Sequence, residues 1–199
     1  MLFRSYGAGR AGPALAVLLC LALTVLGTTS CSRQDVAEEM PQDARFAAFT
    51  ENLPDNEPPP AVQTDLEPVV RRVPGMHVLS AHFATQYVVT ASRLPSPDTL
   101  YWFHLVMTVE HADAQVLADA STQETGLLPA VYPDLHQYVP QECAFRTVPT
   151  HPAEQILQGE YDGQGSTSTP DPLIGVEVND LAVSTDCDLV VATLSTWSM

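Results

Sequence analysis

Leu100–Val109 reads LYWFHLVMTV, and its two-residue period decides the fold. Side chains alternate across a strand. Tyr101, Phe103, Leu105, Met107 and Val109 therefore share one face, and Leu100, Trp102 and Val106 share the other. A strand that is apolar on both faces needs cover on both, so this run is expected at the centre of a sheet. His104 falls on the Trp102 face, where a core-edge histidine bonded to a carbonyl is expected.

Working outward, MHVLSAHFA (76–84) and QYVVTAS (86–92) are rich in β-branched and aromatic residues and read as two strands. RLPSPDT (93–99) is a turn cluster. After the central run, the alanines and Leu117 of EHADAQVLADAS (110–121) favour helix, with Ala112, Val116 and Ala120 as a small apolar face. PDLHQYV (133–139) fits a single helical turn opened by proline. CAFRTV (143–148) reads as a strand and HPAEQILQGE (151–160) as a short helix. YDGQGSTSTPDP (161–172) reads as a loop. GVEVNDLAVST and LVVATLSTW, joined across DCD (186–188), read as a closing hairpin. This order predicts an α+β domain over residues 69–199, with a mostly antiparallel sheet and two short helices on one face.

The chain before Val69 differs in character. Residues 31–68 are acidic and proline-rich, and PDNEPPP (54–60) excludes helix and inner strand, so this stretch is expected to be a tether. Phe46, Phe49 and Leu53 fall on one side of a helix, which predicts a marginal helix docking loosely on the domain. Further upstream, Arg4 and Arg10 precede ALAVLLCLALTVL (14–26), an uncharged run of about 13 residues, and then the small residues Gly27, Thr28, Thr29 and Ser30 before Cys31. This segment resembles the precursors of bacterial lipoproteins, whose lipobox is an aliphatic residue, two small residues and an acylated cysteine. Thr29 and Ser30 fit the small positions. Thr28 departs from the Leu, Val or Ala usual at its place. The resemblance covers residues 1–31 and implies a signal peptide over 1–30, lipidation at Cys31 and a domain held outside the cytoplasm on the cell membrane. Two other fates stay open: secretory cleavage that releases the domain, and an uncleaved helix over Ala11–Ser32, long enough to span a bilayer.

Charge narrows the partners, and cysteine usage fits an extracytoplasmic setting. The formal net charge is −16, there is no lysine, and all 24 acidic residues follow Cys31. Nucleic-acid binding needs a basic footprint and is excluded as an expectation. Cys20 lies in the apolar run and Cys31 is the proposed lipid site, which leaves Cys143 and Cys187 as an even pair suited to a disulfide in an oxidising compartment.

No catalytic motif stands out. H-E-x-x-H, C-x-x-C, G-x-S-x-G and a Walker lysine are all missing from the sequence. His77 and His82 are five apart and would sit on opposite faces of a regular strand, so no metal site and no cofactor are expected. Asp186 and Asp188 read as turn formers rather than calcium ligands. Trp102, His104, His82 and Tyr138 are the candidates for a binding surface. The leading expectation is a non-enzymatic accessory protein that binds another protein or an envelope component. A small envelope hydrolase or metal-dependent enzyme using His104 or His82, and a small-ligand sensor, are the alternatives.

Overall fold

The computed structural model describes residues 43–54, 57–88, 99–159 and 174–198. The signal segment, Cys31, the 93–98 turn and the 161–172 loop lie outside these residues. The described residues form one six-stranded antiparallel sheet. In chain order its strands are β1 (Val78–Tyr87), β2 (Thr99–Val109), β3 (Gln123–Glu124), β4 (Arg146–Thr147), β5 (Ile174–Ser184) and β6 (Leu189–Ser198). Across the sheet they run β1-β2-β6-β5-β4-β3. β2 lies between β1 and β6, pairing Leu105 with Phe83 on one side and Ala192 on the other. The α+β class and the closing hairpin are as expected from the sequence.

One face of the sheet is covered by helices. They are α1 (Leu66–Arg72), α2 (His111–Asp119) and α3 (Thr150–Gln158). Phe103, Leu105, Met107 and Val109 of β2 pack there with Val69 and Val73, Ala114 and Leu117, and Ala153, Ile156 and Leu157. In α2 the fully buried residues are therefore Ala114 and Leu117, while Ala112 is exposed, unlike the face read from the sequence. α3 stops at Gly159, whose φ of 75° is the left-handed conformation that glycine adopts without a Cβ penalty. α1 is a third helix on this face, beyond the two expected. Pro68 disguised it. That proline stands in the first turn, where backbone N–H groups have no intrahelical acceptor, so its missing donor costs nothing. The Asp65 carboxylate accepts the Glu67 N–H at 3.1 Å and caps the helix.

The opposite face is covered by chain without α-helix. Trp102 and Val106 of β2 pack there with Leu128, Val131, Tyr132, Leu135 and Val139, partly carried by a 3-10 helix at Pro133–Tyr138. Residues 43–54 complete this layer, so over these residues the chain is packed on the domain and is not a tether, and the helix expected at Phe46–Leu53 is not formed. The segment is not helical: Ala47 N–H donates to the Leu128 carbonyl and Leu128 N–H to the Arg45 carbonyl, a parallel bridge. Phe46 and Phe49 are only 5% and 8% exposed. Phe46 stacks on His136 with 3.8 Å between ring centroids, and Phe49 meets Trp102, His104 and Tyr132 edge-on. The Arg45 guanidinium donates to the carbonyls of Val139 and Pro140 and holds the Asp43 carboxylate at 2.8 Å.

β1 runs through Thr85 to Tyr87 without a break and so joins the first expected strand to the start of the second, whose residues 89–92 lie outside the described residues. Its outer edge is partly closed by Gln63, which exchanges two backbone hydrogen bonds with Phe83 at 2.8 and 2.9 Å. Cys143 and Cys187 are joined in a disulfide with Cα atoms 5.9 Å apart. It fastens the chain before β4 to the β5–β6 turn. Of the expected 143–148 strand, only Arg146–Thr147 pairs in the sheet.

Two changes test this packing. Phe49→Ala should lower the unfolding free energy in urea by about 3 kcal/mol, as for a buried aromatic truncated to alanine; a loose tether would lose almost nothing. Cys143→Ser with Cys187→Ser should lower it by up to about 4 kcal/mol through the loop that the bond closes.

Candidate functional site

The four residues expected to form a binding surface divide into two pairs. Trp102 and His104 are 1% and 2% exposed, so they belong to the core and not to a surface. Their rings lie 4.7 Å apart between β2 and the covering aromatic layer. His104 Nδ1 has no hydrogen-bond partner among the described residues, and burial pushes the imidazole down to a pKa of about 3. A ring so held is neutral at physiological pH and shielded from solvent. His82 and Tyr138 do come together: half-buried at the edge of the same face, they stack with centroids 3.7 Å apart.

The other histidines sit apart from these. His77 precedes β1, outside the regular strand that its spacing from His82 assumed, and its Nδ1 lies 3.1 Å from the Asp113 carboxylate. His111 Nδ1 lies 2.7 Å from the Asp188 carboxylate. Asp188 is thus both a turn former, with φ of 51°, and an anchor for the start of α2. Among the described residues, no three His, Cys, Asp or Glu side chains gather as metal ligands. No helix among them is long and apolar enough to cross a membrane.

A concavity lies elsewhere among the described residues, between α3 and β5. It has a volume of about 490 Å³ and is lined by His151, Glu154, Gln155 and Gln158 of α3, Val176 and Glu177 of β5, and Trp197 of β6. The helix residues follow an i, i+3, i+4, i+7 spacing, so they share one face while Ala153, Ile156 and Leu157 anchor the opposite face in the core. Trp197 pairs with Gly175 across the strands, and its indole lies where a Cβ on residue 175 would be. Glycine here lets the ring cover bare backbone. Glu154 Oε1 accepts the Val178 N–H at 3.1 Å, tying helix to strand.

No protein-family model, curated protein or solved structure matches this chain.

The sequence reading missed the groove. HPAEQILQ displayed its polar stripe, but such a stripe has the same pattern on any solvated helix. Glu177 and Trp197 belong to the two different strands of the closing hairpin. Their meeting depends on the β5–β6 register and on α3 lying beside β5, neither of which is encoded locally.

The buried His104 makes stability depend on pH. Its pKa is about 3 in the folded chain and near the ordinary 6.5 when unfolded, so the unfolded state takes up the proton first. The contribution is fully present above pH 6.5 and is lost as pH falls toward 3. Between pH 7 and pH 5 the loss from this group should be about 2 kcal/mol. His104→Phe should flatten the stability profile by that amount in urea titrations; an unchanged slope would show the ring to be accessible.

Proposed function

We propose that this protein is an envelope-anchored lipoprotein whose extracytoplasmic domain binds another protein or an envelope component and does not catalyse a reaction. The observation that carries the binding role is the open groove between α3 and β5, where polar side chains and strand backbone face outward together. Trp102, Tyr132, Phe46 and Phe49 are used in packing and build the core beneath the non-helical layer. An enzyme acting through His104 is disfavoured, because that ring is buried and a weak base.

The address has separate support. The apolar run 14–26, with the small residues between it and Cys31, is suited to export and acylation, and the Cys143–Cys187 disulfide fits an oxidising compartment. A single acyl chain gives only marginal membrane binding, so stable anchoring calls for more than one chain on the Cys31 group. The acidic surface would keep the domain off anionic lipid.

Metabolic labelling with a fatty acid tests the anchor. In a bacterial host the full chain should incorporate label and Cys31→Ala should incorporate none. Equal labelling of both, or absence of label from the unaltered chain, would rule out acylation at this residue.

A further inference from the structure

β5 is eleven residues long, but β4 pairs only with its Ala182 and Val183. The Leu181 carbonyl accepts the Val148 N–H at 3.0 Å, and the Val178 N–H donates to Glu154. N-terminal to these, no strand among the described residues pairs with the outer edge of β5. Backbone groups alternate in direction along a strand. The outward N–H of Val178 therefore places the N–H and carbonyl of Val176 on the same outward side. Val176 and Glu177 of this stretch line the α3 groove. The far edge of the sheet differs, since Gln63 already occupies the middle of β1.

We propose that this groove receives an extended, basic peptide segment of a partner protein, which adds as a strand to the β5 edge at Gly175–Val178. The proposal rests on the binding role put forward above and names the chemistry of the partner. Strand addition satisfies the exposed backbone groups, and alternate side chains of the peptide meet the groove walls. The walls set the preference for cations. Glu154 and Glu177 line the groove, no arginine among the described residues does, and the chain contains no lysine. Trp197 offers a ring against which an arginine or lysine stem can lie. A second copy of this chain is a poor occupant, because two-fold pairing at this edge would bring the same carboxylates of both copies together.

The test uses the full chain purified in detergent and a fluorescein-labelled hexapeptide of alternating arginine and valine, capped at both ends. Its counterpart with glutamate in place of arginine is the charge control. Two further peptides carry N-methyl groups on alternate amides, one for each phase, so that the methyls of one must face β5. Fluorescence anisotropy should show saturable binding of the basic peptide and about tenfold or weaker binding of the acidic one. One methylation phase should lose about tenfold in affinity while the other keeps it. Glu154→Gln with Glu177→Gln should also weaken binding about tenfold, and the amide oxygen introduced beside β5 can still accept the Val178 N–H. The proposal is overturned by no saturable binding, by equal binding of both methylated peptides, or by full affinity in the double variant. Envelope proteins captured by the unaltered chain and equally by that variant would overturn this site alone and leave the wider binding role standing. Loss of all capture by the unaltered chain would instead remove the wider role.

Discussion

Along β2 the apolar side chains project from both faces of the strand, and each face must be taken out of water by a different layer of the protein. Phe103, Leu105, Met107 and Val109 require one cover, and Trp102 and Val106 require another. The hydrophobic contribution is about 1.5–3 kcal/mol for each large side chain fully buried, so neither face can stay wet without a heavy loss of stability. The architecture follows from that demand. Three helices cover one face, and the irregular 125–145 stretch with the 43–54 segment covers the other.

The two covers differ in kind. The helices satisfy their own backbone and bring only side chains to the sheet. The non-helical layer must find partners for exposed backbone groups and does so piecemeal. The Phe46–Leu128 bridge, the Arg45 bonds to the carbonyls of Val139 and Pro140, and the Cys143–Cys187 bond all serve this layer. The disulfide stands at the end where β4 and β3 are only two residues long. Short outer strands leave few ladder bonds to hold that margin, and a covalent link there restrains the chain that the ladder does not.

The same short strands leave the candidate site without a paired strand among the described residues. Had β4 continued past Thr147 along β5, the edge beside Val176 would be paired and the groove filled with backbone. Instead α3 crosses at that place, with its apolar face in the core and its polar face turned to the β5 edge. Glu154 reaches across to Val178 and gives one edge donor a partner within the chain. The groove is thus a consequence of how the sheet ends, and its acidity follows from Glu154 and Glu177 standing there without a lysine or arginine among the described residues of its lining.

Local pattern alone determined a good deal about this protein. The alternation in Leu100–Val109 required a central, doubly covered strand, the final apolar runs across Asp186–Asp188 required a hairpin, and counting left Cys143 and Cys187 as the pair to be bonded. These are properties of period, turn chemistry and composition, which act over a few residues. Tertiary structure decided the rest. Phe46 and Phe49 have helical spacing, yet extended chain places one ring on His136 and the other against Trp102, because backbone pairing with Leu128 and aromatic burial outweigh a weak helix preference. His104 became a neutral core residue through layers supplied by distant segments. A polar stripe on α3 became one wall of a groove because strand order brought β5 alongside it, at an edge that no strand among the described residues pairs. Contacts between residues far apart in sequence set these outcomes, and a local hydrophobic pattern carries no record of which distant segment will supply the contact.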